Sequence, residues 1–312
     1  MKKYDKGKVI VTTSSFGEYD RCPIELCEKE GFRVILNPYR RKITPEELVV
    51  LGRGASGLIA GTETITKDLM LKLPSLRVIS RCGSGLDNVD IRAARNLGIR
   101  IFNTPDAPVL AVAELTVGLV LNLLRKINMM DRDVKNGKWK KLMGSLVYGK
   151  RIGIIGFGKI GKKTAQLLKP FGCKIKYFDP HVKSRAMGFE RLSLRKLLSW
   201  ADIITIHAST NKEIIGKREI GVMRRGAWLL NLSRGEAVNE HAVFEALEKK
   251  ILSGVALDVF SREPYSGMLI QQDNAILTPH IGSYAIEARI EMEIQAAKNL
   301  LKGLKEKKET RI

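Results

Sequence analysis

The sequence predicts an α/β protein built from two doubly wound parallel-sheet domains. Three observations predict it. At 312 residues the chain exceeds what one hydrophobic core usually organises. Short β-branched runs alternate with helix-patterned segments along most of its length, the mark of βαβ units and parallel sheets. A glycine-rich turn lies between one such strand and the next helix.

In the first series, Lys8–Thr13, Arg33–Asn37, Gly57–Gly61, Leu76–Ser80 and Gly98–Phe102 read as strands, with helices between them such as Pro45–Gly52 and Asp90–Asn96. A long apolar helix is expected over Val109–Met129. A basic, glycine-containing connector then runs through Trp139 to Gly149. The second series has strands at Arg151–Ile155, Lys174–Phe178, Asp202–His207, Ala227–Asn231, Gly254–Leu257 and Ala275–Thr278. A helix over Ala285–Leu304 ends in the charged tail KEKKETRI. Right-handed crossovers make each series doubly wound.

Apolar residues make up 44% of the chain and charged residues 28%, an ordinary globular balance that speaks against disorder or a repeat array. The N-terminus lacks the apolar core of a signal peptide. The longest apolar run, Pro108 to Leu124, contains Glu114 and Asn122; we expect a buried helix at a domain or subunit interface rather than a membrane span. Cys22, Cys27, Cys82 and Cys173 have no metal-ligand spacing, and free thiols in a cytoplasmic protein are expected. The net charge is +21, and from Val134 to Phe178 twelve Lys or Arg meet no acidic residue. Such a field attracts anions or nucleic acid. Without a nucleic-acid motif we read it as a solvated basic face, and expect neither a metal nor a specific nucleic-acid partner.

The strand Arg151–Ile155 runs into Gly156-Phe-Gly158-Lys-Ile-Gly161, and Asp179 follows the next strand eighteen residues after the last glycine. That context turns a weak motif into a dinucleotide site on a Rossmann domain. Gly156 permits the tight turn, Gly158 lets backbone approach a pyrophosphate, and Gly161 lets helix pack on strand. The helix N-terminus offers N–H groups and positive dipole, with Lys159 and Ile160 beside the phosphates. Asp179 can accept ribose hydroxyls and repel a 2′-phosphate, which favours NAD. Lys183 and Arg185, close by in sequence, are the opposing signal.

Ligands of open α/β sheets bind beyond the carboxyl ends of the strands, so the residues just past each strand are informative. After Ala227–Asn231 come Leu232, Ser233 and Arg234. After Gly254–Leu257 come Asp258 and Glu263. After Ala275–Thr278 come His280 and Gly282. An Arg, a Glu and a His on one sheet edge meet the needs of hydride transfer to a 2-keto acid. The Arg holds the carboxylate and polarises the carbonyl, the His protonates the forming alkoxide, and the Glu favours the imidazolium. His181 and His241 sit in polar, surface-like contexts. His207 ends a strand and could line the cofactor cleft.

These residues resemble a known family. CGSGLDNVD (82–90), FNTPDAP (102–108), AVAELTVGL (111–119), NGKWKKLMG (136–144), GFGKIG (156–161), NLSRGEAVNE (231–240), ALDVFSREP (256–264) and TPHIGS (278–283) follow the order of the D-isomer-specific 2-hydroxyacid dehydrogenases. The likeness is greatest to members acting on 3-phosphoglycerate. The resemblance implies Arg234 as the substrate-carboxylate ligand, His280 as proton donor and Glu263 as its partner. It implies backbone at Ser84 and Gly85 as a further carboxylate site, with Arg81 near the substrate. Gly156, Gly158, Lys159, Ile160, Gly161, Asp179, His207, Leu232, Ser233, Asp258 and Gly282 would line the cofactor, Asp258 toward the nicotinamide carboxamide.

It further implies a flavodoxin-like substrate domain of residues 1–103 completed by 285–312, an NAD domain of 104–284, a site between them, and a homodimer or higher homo-oligomer, with the apolar helix contributing to the interface. The expected substrate is a small anionic 2-keto or 2-hydroxy acid. Departures are Gly61-Thr62-Glu63 where phosphoglycerate enzymes often carry Arg-Ser, a carboxylate that would oppose a phosphate, and His207-Ala-Ser209 in place of His-x-Pro. With Glu263 rather than Gln beside the His, formate dehydrogenase is disfavoured. The intact trio argues against an NAD-sensing corepressor. No C-terminal regulatory domain follows the tail, so feedback by serine through one is not expected.

Overall fold

A computed structural model describes residues 5–182 and 186–306, which fall into two compact units, Met1–Pro108 with Tyr284–Ile312, and Val109–Ser283. In the first unit five parallel strands, β1 (Lys8–Val11), β2 (Arg33–Leu36), β3 (Ala55–Ala60), β4 (Val78–Arg81) and β5 (Arg100–Asn103), pair in the order β2-β1-β3-β4-β5. That is the flavodoxin-like order.

Successive residues of β1 serve opposite faces, as the strand period of two requires. Ile10 joins Leu58 and Ile79 beneath α2 (Pro45–Gly52), α3 (Lys67–Leu71) and α4 (Ile91–Asn96). Val9 and Val11 join Ile59 and Val78 on the other face, against α1 (Cys22–Lys29) and the C-terminal helix Ile286–Lys305, through Ile24, Ala296 and Leu300. Local chemistry starts these helices: Thr44 and Glu47 form a capping box on α2, and Thr66 and Asp90 cap α3 and α4.

The apolar helix departs from expectation. It is α5 (Pro108–Arg125), followed by a separate α6 (Ile127–Lys135), because Lys126 takes a left-handed conformation at φ 54°. A left-handed residue interrupts the i to i+4 ladder, and the Asn122 side chain accepts from the freed Asn128 N–H at 2.9 Å. By length and mean hydropathy, 18 residues at 1.6, α5 alone would pass for a membrane span. Its packing gives it another place: Leu119, Val120, Leu123 and Leu124 are buried in the core of the second unit.

That core surrounds seven parallel strands: β6 (Arg151–Ile155), β7 (Lys174–Phe178), β8 (Glu190–Arg191), β9 (Ile203–Ile206), β10 (Ala227–Asn231), β11 (Leu252–Leu257) and β12 (Ala275–Leu277). Their order is β12-β11-β10-β9-β6-β7-β8, the doubly wound Rossmann arrangement with its switch point between β6 and β9. The two-residue β8 is an addition to the expected strands. On one face Ile152, Ile154 and Leu230 pack against α5 and α7 (Lys159–Leu168). On the other, Ile204, Leu229 and Val255 pack against α8 (Leu194–Trp200), α9 (Lys217–Val222) and α10 (Glu240–Glu248). The C-terminal helix of the first unit is then α11 (Ile286–Lys305). The carboxyl ends of β6, β9, β10, β11 and β12 therefore share one edge of the second sheet.

Candidate active site

The glycine turn after β6 has the three separate geometries that a dinucleotide needs. Gly156 has φ 87°, and a Cβ on it would sit 2.5 Å from the Ala208 backbone nitrogen. A Cβ on Gly161, in the first turn of α7, would lie 2.1 Å from the Gly156 carbonyl oxygen. Around Gly158 a Cβ would meet nothing within 4 Å. The first two glycines are therefore demanded by the chain itself. The third keeps open space at the N-terminus of α7, where first-turn N–H groups and the helix dipole favour an anion. Lys159 and Gly158 are exposed there and Ile160 is half-buried.

Asp179 directly follows β7, its carboxylate buried and aimed at this turn. One oxygen accepts from Phe157 N–H at 2.7 Å; the other accepts from His181 N–H at 2.8 Å and Val182 N–H at 3.2 Å. Lys183 and Arg185, the opposing signal, lie outside the described residues. His207 directly follows β9 and is buried. Its Nε2 lies 3.0 Å from Thr205 Oγ1, whereas Nδ1 has no partner. Burial pushes its imidazole down from 6.5 to about 3, so the ring is neutral. A cradle without Cβ atoms, a buried carboxylate and an orphaned ring nitrogen at adjoining strand ends fit a dinucleotide.

The turns after β10, β11 and β12 are each built around one buried polar side chain. After β10, Asn231 accepts from the Ser233 N–H and hydroxyl and donates to the Arg234 carbonyl at 2.8 Å. This presents Arg234 at the edge, with Leu232 and Ser233 buried beneath it. After β11, Asp258 is 1% exposed. It accepts from Thr278 Oγ1 at 2.7 Å and from the Ile281 and Gly282 N–H groups at 2.8 Å each. Desolvation raises its carboxyl above the usual range, and these hydrogen bonds oppose the rise. Its carboxylate thus holds the turn that carries His280, a role the sequence did not disclose.

His280 itself sits at φ 56°, a left-handed conformation that non-glycine residues adopt at a cost of about 1–2 kcal/mol. Glu263, farther along the β11 turn, places its two carboxylate oxygens 3.2 and 3.0 Å from His280 Nδ1. A carboxylate only accepts, so Nδ1 carries the proton of this bond and Nε2 is left for another partner. Both side chains are exposed. Arg234, Glu263 and His280 all leave the same sheet edge; the structure pairs the last two directly.

In the first unit the Gly83–Gly85 turn follows β4. Gly83 N–H donates to Thr104 Oγ1 at 2.7 Å and Asn103 Nδ2 donates to the Ser84 carbonyl at 2.7 Å, so the end of β5 clamps it. The Arg81 guanidinium folds over Gly83 and donates to the Cys82 carbonyl at 2.8 Å. Ser84 is exposed and Gly85 half-buried. Glu63 corrects an expectation. It is 4% exposed, turned inward to accept from Thr12 Oγ1 and from the Gly61 N–H, and so it does not project as an opposing charge. Among the described residues no cluster of His, Cys, Asp or Glu has the makings of a metal site.

The family model of the D-isomer specific 2-hydroxyacid dehydrogenase NAD binding domain matches residues 117–282. The chain is 38% identical over 258 residues to the D-3-phosphoglycerate dehydrogenase of Methanocaldococcus jannaschii, covering 79% of this chain and 49% of that protein. It is 38% identical over 256 residues to the glyoxylate reductase of Thermococcus litoralis, covering 77% of each. Among solved structures, the TT0316 protein of Thermus thermophilus superposes with a TM-score of 0.88 at 31% identity, over 95% of this chain and 96% of that one. The chain spans about half the length of the first curated relatives it matches.

Proposed function

This chain belongs to the D-isomer specific 2-hydroxyacid dehydrogenases, and from that premise we propose that it moves a hydride between NAD and C2 of a small D-2-hydroxy acid. The Glu263–His280 pair on the sheet edge that also presents Arg234 carries the reading. The open turn at Gly158, the helix N-terminus with Lys159, and Asp179 would hold the dinucleotide, with Ile160, His207, Leu232, Ser233, Asp258 and Gly282 around it. When bound, its nicotinamide supplies or accepts the hydride.

The chain's own residues do the rest. Arg234 holds the substrate carboxylate and polarises the C2 carbonyl. His280 gives a proton from Nε2 to the C2 oxygen during reduction and takes it back during oxidation. Glu263, bonded to Nδ1, fixes the ring's tautomer and stabilises its cation. In the first unit, Ser84 and Gly85 would offer backbone to a carboxylate, and Arg81 would offer charge to an anion.

We take 3-phosphoglycerate as the leading substrate, which would place the enzyme in serine biosynthesis. The inward turn of Glu63 removes an objection to it. Glyoxylate or hydroxypyruvate is the second reading, favoured by the glyoxylate reductase match, which extends over 77% of that protein. The exposed Trp139, Met143, Leu146 and Tyr148 of the connector support a homodimer. The four thiols are free, as in a cytoplasmic protein. A panel of 2-keto acids, phosphorylated and not, assayed by loss of NADH fluorescence, tests the proposal. Turnover of phosphohydroxypyruvate well above glyoxylate is expected. No turnover of any 2-keto acid would overturn the assignment.

A further inference from the structure

Arg234 and the Glu263–His280 pair stand on turns that follow different strands, yet both must meet one substrate carbonyl if the proposed reaction is right. Two contacts join those turns. Gly235, the residue after Arg234, is pressed so closely on the loop after β11 that a Cβ would lie 1.9 Å from the Phe260 carbonyl carbon. One residue farther along that loop, Ser261 donates both its N–H, at 2.8 Å, and its hydroxyl, at 2.9 Å, to Glu240 Oε1. Glu240 is the first residue of α10, whose cap Asn239 closes the segment that began at Arg234.

We propose that Glu240 is a positioning residue, a clamp that holds Glu263 on His280 and fixes the pair relative to Arg234. The inference rests on the roles assigned above to those three residues.

The surroundings show why a clamp is needed there. Val259 and Phe260 are buried, whereas Ser261, Arg262, Glu263 and Pro264 are all exposed. Burial thus stops holding this loop just before the residue whose position matters. Within it the Phe260 N–H donates to Glu263 Oε1 at 3.2 Å, which curls the carboxylate back. Phe260 stacks on Tyr265 at 4.2 Å and closes the loop from the far side. Neither contact reaches outside the loop toward the Arg234 turn. Two hydrogen bonds onto an ionised carboxylate do, and charge-assisted bonds are the stronger kind. A misplacement of about 1 Å at such a site costs on the order of a hundredfold in rate. An acid at the first position of a helix also complements the helix dipole, so the test must separate clamping from helix stability.

The experiment uses the full chain and NMR of the His280 imidazole, its signal identified with His280→Ala. The chemical shift of its Nδ1, which reports the hydrogen bond to Glu263, is compared at one pH in wild type, E263Q, E240A and E240Q. E263Q should displace the signal, E240A should displace it at least half as far in the same direction, and E240Q should stay with wild type because its amide oxygen accepts the same two bonds. Should E240A not fold, Ser261→Ala removes one of the two donors and should give a smaller displacement of the same sign. An E240A signal at the wild-type position, with E263Q displaced, overturns the clamp. So does an undisplaced E263Q, since then there is no pair to hold. In turnover, E240A should lose about a hundredfold in kcat with KM for NADH unchanged, and E240Q should recover most of it. A wild type that reduces no 2-keto acid would sink the functional reading, while the NMR comparison would still decide the clamp.

Discussion

Alanine at each of the three glycines of the cofactor turn should produce two different kinds of failure. At Gly156 the left-handed backbone costs an L-residue about 1–2 kcal/mol. The new methyl would also lie 2.5 Å from the Ala208 nitrogen, and overpacking of this kind costs typically a further 1–3 kcal/mol. Gly161→Ala escapes the first penalty but drives Cβ to 2.1 Å from a backbone oxygen that no rotamer can move. Both variants should lose about 1–5 kcal/mol of stability. Gly158→Ala is different, because its φ of −74° suits any residue and its Cβ meets nothing in the protein. A stiffer unfolded chain adds about 0.4–1 kcal/mol and a poorer N-cap removes a similar amount, so stability should hold within about 1 kcal/mol. Yet the methyl occupies the space proposed for the pyrophosphate. Urea unfolding and NADH fluorescence titration separate the two effects. Gly158→Ala should melt with wild type and bind NADH at least tenfold more weakly, about 1.4 kcal/mol. Unchanged NADH affinity in a stable Gly158→Ala would show that the open space is not the phosphate site.

Other perturbations follow from the same geometry. His280→Ala should lower kcat for 2-keto acid reduction by about a hundredfold or more while NADH affinity stays; near-normal turnover would remove His280 from the chemistry. Asp179→Ala should narrow the preference for NADH over NADPH, read as the ratio of kcat/KM values, and equal kcat/KM for the two cofactors in wild type would contradict the role of Asp179. His207 gives a pH signature. Its imidazole is held neutral down to about 3 in the folded chain but protonates near 6.5 when unfolded. The unfolded chain therefore binds the extra proton between these values. The contribution is complete above about 6.5 and is lost at up to ~1.4 kcal/mol per pH unit below it. Urea unfolding between pH 7 and 5 should show that slope reduced in His207→Gln; parallel slopes would mean the imidazole is not buried and neutral.

Which parts of this molecule were legible in the sequence depends on how far the deciding interaction reaches. The strands were readable because β-branched runs such as Arg151–Ile155 and Ala227–Asn231 are decided locally, and the structure places both at those bounds. The placement of Arg234, Glu263 and His280 on one sheet edge was readable because parallel topology puts every strand's carboxyl end there, so the residues after each strand could be examined without coordinates. The break at Lys126 was not, since a lysine gives no sign of a left-handed residue and Asn122 answers the break only once the chain has turned. Nor was β8, whose two residues are too few to show a period.

The side chains that hold the candidate site together lay deeper still. Glu63 reads as an exposed charge until Thr12, 51 residues away and just past the neighbouring strand, supplies its hydroxyl. Asp258 reads only as a cofactor contact, and its further role shows when the turn after β12 returns 20 to 24 residues later to place three donors on it. Glu240 carries no mark in the sequence beyond its charge, and Ser261 reaches it from 21 residues on. In each case the residue type announces that a carboxylate must be satisfied, and only the fold says by whom. Reacting groups must stand at the strand ends that the topology exposes. The groups that steady them can be drawn from anywhere the chain happens to pass, which is why the chemistry of this site was nearer the surface of the sequence than its support.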